Sequence, residues 1–189
     1  MAQLVINIGA APNDETGDFN RDCFIKINQM FSEVYAMSGG ADPWVYTRLA
    51  ADFTTSSATA VDVTGMSFAP IANLRYEIEG EFFLRTATAL IGPRTGIAWP
   101  TGMADGVGRL GVTSAAGTQV LQNGNINAPM LSPAGGLPNT TQSWPGFMKV
   151  TMIAGAAPGS TFRLQLASET AGTIVTMKAG SWFRRRTFA

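Results

Sequence analysis

A chain of 189 residues has room for one ordinary domain and an appendage. Apolar residues make up 46% and charged residues 14%; about a quarter charged is usual for a free-standing domain, so the composition points to surface hidden in an assembly or to a β-rich surface of Thr, Ser and Asn. Thirteen basic and thirteen acidic residues leave no basic field for sequence-independent nucleic-acid binding, and the absence of histidine with a single cysteine, Cys23, excludes Ser-His and Cys-His catalysis, His- or Cys-based zinc and an intrachain disulfide.

In chain order, residues 4–8 (LVINI) read as a short strand, and residues 9–17 (GAAPNDETG) as a polar turn built on Pro12, Asn13, Asp14 and Gly17. Thr16 or Asp18 is placed to cap a following helix. Phe24, Ile27, Phe31 and Val34 recur at spacings of three, four and three, the seam of a coiled coil. The predicted helix runs over about residues 18–37, ~30 Å at 1.5 Å per residue. A lone helix of that length is marginal in water and must bury its seam. Cys23 lies within this pattern, with a small buried apolar role as the default. Asn13, Asp14, Glu15 and Asp18 could gather round a calcium ion, but turn and cap roles are the commoner use of such residues, and no metal or cofactor is expected. Gly39, Gly40 and Pro43 mark residues 39–43 as a linker between an N-terminal segment, 1–38, and a domain over 44–189.

Beyond the linker the period changes to two. In RYEIEGEFFLR, Tyr76, Ile78, Gly80, Phe82 and Leu84 share one face; Arg75, Glu77, Glu79, Glu81 and Arg85 share the other. FRLQLAS (162–168) and MKVTMIA (148–154) repeat the pattern, and further β-like runs fall at 44–49, 58–63, 94–99, 107–113, 119–122, 172–178 and 181–188. The prediction is a mainly β chain whose C-terminal domain is an antiparallel β-sandwich, jelly-roll-like, with residues 123–146 as a long excursion loop.

Three motifs bear on chemistry. GVGRLG (106–111) matches a dinucleotide-binding glycine pattern, but no helical period follows, so it reads as a glycine-rich strand or turn. Glu77, Glu79 and Glu81 lie ~7 Å apart along one strand face, which suits an ion-paired sheet surface better than a pair of carboxylates set across a sugar. Trp99 and Trp144 each precede a proline at a loop or strand end; they are the candidate glycan contacts, with buried loop anchoring as the alternative. Arg184, Arg185 and Arg186 read as strand-surface or subunit-interface residues rather than a nucleic-acid patch, and spacing alone does not show whether they pair with Glu77, Glu79 and Glu81 across strands or subunits. No signal peptide is predicted, and no run approaches the ~20 apolar residues of a membrane span.

The thirty residues from Ile6 to Tyr35, INIGAAPNDETGDFNRDCFIKINQMFSEVY, resemble a recurrent N-terminal segment of tailed-bacteriophage virion proteins. The matching positions are Ile8, Gly9, Pro12, Asn13, Asp14, Thr16, Gly17, Asp18, Arg21, Phe24, Lys26, Ile27, Asn28, Phe31, Glu33 and Tyr35; Glu15, Phe19-Asn20, Cys23 and Met30 depart from the usual form. Strings such as YEIEGEFFLRT, GIAWPTG and LASETAGTIVTMKAGSWFRRR resemble a β domain of small phage virion proteins. The resemblance implies a non-enzymatic structural protein, made in the bacterial host cytoplasm and incorporated in the virion. It would be a short homotrimeric head fibre or decoration, or a tail appendage. Asn13, Asp14, Thr16, Asp18 and Arg21 would dock it to capsid, collar or tail, while Phe24, Ile27, Phe31 and Val34 would pack between subunits. The alternative is a carbohydrate-binding receptor knob of a tail fibre that contacts a host surface glycan; a glycan hydrolase using Glu77–Glu81 is a third reading.

Overall fold

The computed structural model describes residues 44–113, 119–126, 130–132, 136–137 and 140–188, all within the unit Trp44–Ala189. The expected N-terminal strand, turn and helix, with the docking residues Asn13, Asp14, Thr16, Asp18 and Arg21 and the seam residues Phe24, Ile27, Phe31 and Val34, lie outside them.

Among the described residues there are twelve strands: β1 (Val45–Arg48), β2 (Phe53–Thr55), β3 (Val61–Phe68), β4 (Arg75–Thr86), β5 (Pro93–Ala98), β6 (Met103–Thr113), β7 (Gln119–Asn125), β8 (Met130–Leu131), β9 (Trp144–Ala154), β10 (Phe162–Ser168), β11 (Val175–Met177) and β12 (Trp182–Phe188). They make two antiparallel sheets. The larger has the order β1-β12-β4-β9-β6-β7, with β11 and β2 continuing beside the far end of β4; the smaller has the order β3-β10-β5-β8. The two pack as a β-sandwich, as the alternating patterns predict.

β4 is the backbone of the larger sheet. Its period-two pattern buries Tyr76, Ile78, Phe82 and Leu84, each at 2% exposure or less. These side chains meet Val150 and Met152 of β9 and Leu110 of β6 on the same inner face, opposite Val63, Met66 and Phe68 of β3 and Phe162, Leu164 and Leu166 of β10. Burying side chains of this size is worth about 1.5–3 kcal/mol each. At one end of the core Phe68 stacks on Phe162 at 5.2 Å between ring centroids, and Phe183 meets the Phe162 ring edge-on at 6.0 Å, the tilted geometry that ring quadrupoles favour.

β4 is longer than either strand on that flank. β12 pairs with its first seven residues and β11 with its last three. The handover is closed by polar groups: the Phe83 N–H donates to Ser181 Oγ at 3.0 Å, and the Lys178 N–H donates to the Phe83 carbonyl at 2.8 Å. The backbone of a central strand therefore keeps its partners across the gap, as buried backbone must.

In three places the structure departs from the expected elements. Residues 123–146 are not one excursion loop: β7 continues to Asn125, β8 adds Met130–Leu131, and β9 already begins at Trp144. Met130 is fully buried over Gly108 and Gly124, at the edge where the two sheets approach, so an apolar residue inside a Pro/Gly-rich string is a core element. The short strand β2, Phe53–Thr55, was not expected; it pairs β11 rather than a sequence neighbour. The run expected at 58–63 extends to Phe68 because Gly65, at φ +82°, breaks the alternation. Val63 and Met66 both point inward as a result, and the pairing with β10 shifts register there. A positive φ inside a strand is the glycine-tolerated route to such a bulge.

Candidate interaction face

The outward face of the larger sheet carries the densest grouping of charged and aromatic side chains. Its geometry follows from one register. β12 runs antiparallel to β4 with Trp182 opposite Glu81, Arg184 opposite Glu79, Arg186 opposite Glu77 and Phe188 opposite Arg75. Since alternate residues face outward, Arg184 and Arg186 meet Glu79 and Glu77 directly, a favourable cross-strand arrangement. Arg186 donates from Nε (2.8 Å) and Nη2 (2.5 Å) to the same oxygen, Oε2, of Glu77. Arg184 Nη2 donates to Glu79 Oε2 at 2.9 Å, while Lys149 Nζ of β9 approaches Glu79 Oε1 at 3.5 Å. The Arg184 hydrogen bond holds the Glu79 carboxyl below its ordinary range, and Glu79 and Tyr46 together raise Arg184 above its own.

Aromatic rings cover these pairs. The Trp44 ring lies 4.3 Å from the Arg184 guanidinium carbon and 4.7 Å from that of Arg186. Phe188 lies 5.0 Å from Arg186 and 6.0 Å from Arg75. Tyr46 and Trp182 meet at 5.9 Å, and the Tyr46 hydroxyl accepts a hydrogen bond from Arg184 at 3.3 Å. Cation–π contacts of this kind are worth about 0.5–1 kcal/mol at exposed sites. Tyr46, Phe83, Val107, Ile153 and Phe188 also expose a large part of their surface. The face is thus ordered by ion pairs while keeping apolar surface in contact with solvent.

Arg185, between the two paired arginines, points the other way. Its guanidinium lies 4.5 Å from the Phe68 ring, and burial pulls its pKa down. The triplet Arg184–Arg186 is therefore not one basic patch but two outward ion pairs and one inward cation on an aromatic ring.

Of the residues singled out in the sequence, Trp99 and Trp144 pack against the core, and each buries its indole N–H without an acceptor. Trp99 lies over Gly106, and Trp144 opens β9 opposite Leu84. The structure does not bring these two rings onto the outward face. Glu77 and Glu79 sit side by side on one strand, each held by a guanidinium. For Glu79 that shift opposes the raised pKa a general acid needs. The GVGRLG glycines lie on β6 between β7 and β9, and a strand rather than a phosphate-binding turn is what they form. Among the described residues no three His, Cys, Asp or Glu side chains gather as metal ligands.

Tyr46 and Phe188 are not among the residues singled out from the sequence. Their signal was the alternation in WVYTR and WFRRRTF, which sets Trp44, Tyr46 and Arg48 on one face, and Trp182, Arg184, Arg186 and Phe188 on one face. What it lacked was the pairing of β1 with β12, which brings the two rows together. Compared with known proteins, the chain matches no family model and no curated protein.

Proposed function

We propose that the chain is a non-enzymatic structural component of a tailed-bacteriophage virion: a short homotrimeric head fibre or decoration, or a tail appendage, attached through residues 1–38. The observation that carries this reading is the set of matching positions in the opening segment, from Ile8 and Gly9 through Pro12-Asn13-Asp14 to Phe31, Glu33 and Tyr35. The spacing of Phe24, Ile27, Phe31 and Val34 supplies a seam for self-association. The sandwich supports it by analogy of architecture alone, since one fold hosts many functions. Mass spectrometry of gradient-purified particles of the encoding phage tests the proposal. Peptides of this chain should persist through the gradient in fixed ratio to the capsid protein; their loss into the soluble fraction would contradict it.

A second reading, a carbohydrate-binding knob, is favoured by one feature: aromatic rings beside ordered charged groups on the outward face. Tyr46 and Phe188 are more suitable for it than Trp99 and Trp144, whose rings are largely spent on the core.

A further inference from the structure

At one corner of the outward face, where β12, β4 and β9 run side by side, Arg75, Glu77, Thr151 and Phe188 line a shallow cup of about 280 Å³. Register puts them together: Phe188 and Ile153 flank Arg75, and Arg186 and Thr151 flank Glu77. The volume is at the lower limit for ligand pockets, which suits a single small ring rather than a larger ligand.

The charges of the cup are unequal in how they are used. Glu77 accepts both Arg186 bonds on Oε2, so Oε1 is left as an acceptor. Arg75 forms no ion pair among the described residues, and its guanidinium lies 6.0 Å from the Phe188 ring. Arg186, opposite the adjoining outward residue Glu77, is paired with it, as Arg184 farther along the row is with Glu79. The cup therefore presents one uncompensated guanidinium, one hydroxyl, one carboxylate oxygen and, at 40% exposure, one aromatic wall. A guanidinium is shaped for a planar carboxylate. A carboxylate oxygen and a hydroxyl suit ligand O–H groups, and an aromatic wall suits the C–H face of a ring. A phosphate dianion fits less well, because the Glu77 carboxylate in the same cup repels its double charge more than the single charge of a carboxylate.

We propose that this cup is a binding subsite for a carboxylate-bearing sugar residue of the uronic acid type. Arg75 takes the carboxylate, Glu77 Oε1 and Thr151 take ring hydroxyls, and Phe188 lies against the ring. The inference rests on the carbohydrate-binding reading and is independent of oligomeric state and of attachment to a particle.

The test is titration of the full chain with methyl β-D-glucuronide and methyl β-D-glucoside, which differ at the C6 carboxylate, followed by saturation-transfer NMR and calorimetry. The glucuronide should bind with Kd on the order of 1 mM. The glucoside should bind about tenfold more weakly, and Arg75→Gln should remove that preference at unchanged melting temperature, as loss of one charge-assisted contact requires. Phe188→Ala should weaken binding of the glucuronide, whereas Arg109→Gln, on the same face but away from the cup, should leave it unchanged. Equal binding of the two glycosides, or a glucuronide preference that survives Arg75→Gln, overturns the cup while leaving the carbohydrate reading in place. No binding of either glycoside overturns both.

Discussion

The inward face of β4 buries Tyr76, Ile78, Phe82 and Leu84 between two sheets, whereas its outward face, one residue out of step, sets Glu77 and Glu79 against arginines of β12. The same backbone hydrogen bonds serve both faces, but the energetics differ. Inside, stability scales with apolar area and with the absence of voids. Outside, ion pairs in water gain little, with a median near 0–1 kcal/mol. The outward pairs order the surface more than they hold the fold. That separation leaves the outward face open to substitution in a way the inward face is not.

The largest effect should come from emptying the core. Phe82→Ala removes a ring with no exposed surface and should cost about 3–5 kcal/mol in denaturant unfolding. Gly80→Val strikes the same face by crowding. A Cβ there would lie 2.9 Å from the Trp182 carbonyl oxygen and 3.0 Å from Phe183 Cβ, and about 1–3 kcal/mol should be lost. On the outward face Glu77→Ala should cost no more than about 1 kcal/mol, with its effect shrinking in high salt. A loss equal to that of Phe82→Ala would erase the distinction between the two faces. Smaller still, Lys149→Ala removes a long, mostly exposed contact of 3.5 Å and should shift stability by less than about 0.5 kcal/mol.

Acid sharpens the comparison further, because it acts on the outside alone. Glu79, with an ordinary value of 4.5, is depressed by its Arg184 bond, and Asp52, with an ordinary value of 3.8, by bonds from Lys178 and the Ala179 N–H. The unfolded chain binds these protons first as pH falls, so acid favours unfolding. Their contribution is complete above the ordinary values and is lost as pH falls through the depressed ones. Melting temperature should stay level down to about pH 5 and fall below pH 4. Glu79→Gln should flatten part of that decline, and an unchanged profile in this variant would show that the Arg184 pair carries no linkage.

The alternation of RYEIEGEFFLR makes the strand and both its faces legible without any structure, since burial of one face dictates period two. FRLQLAS is legible for the same reason, down to its ends at Phe162 and Ser168. The partners are harder to read. Glu77 and Arg186 are far apart in the chain, and only the long-range pairing of β4 with β12 sets them opposite each other. A slip by one residue would have turned Arg186 inward and Arg185 outward. β2 and β8 escape a sequence reading because strands of three and two residues are too short for a period to show. Gly65 hides the second half of β3, since a bulge resets the alternation on which the reading depends. The candidate face was half legible: its acidic row and its arginines could be seen, whereas the cup needed three strands in register.

The proposed assembly of this chain is tested by its mass in solution, measured by light scattering for the full chain and for a chain beginning at residue 42. About three times 20.0 kDa is expected for the full chain. If the shorter chain falls to a single copy, Phe24, Ile27, Phe31 and Val34 form the assembling seam; if it remains trimeric, the sandwich does the assembling. A full chain that stays at 20.0 kDa across the concentration range would contradict the homotrimer and, with it, the seam.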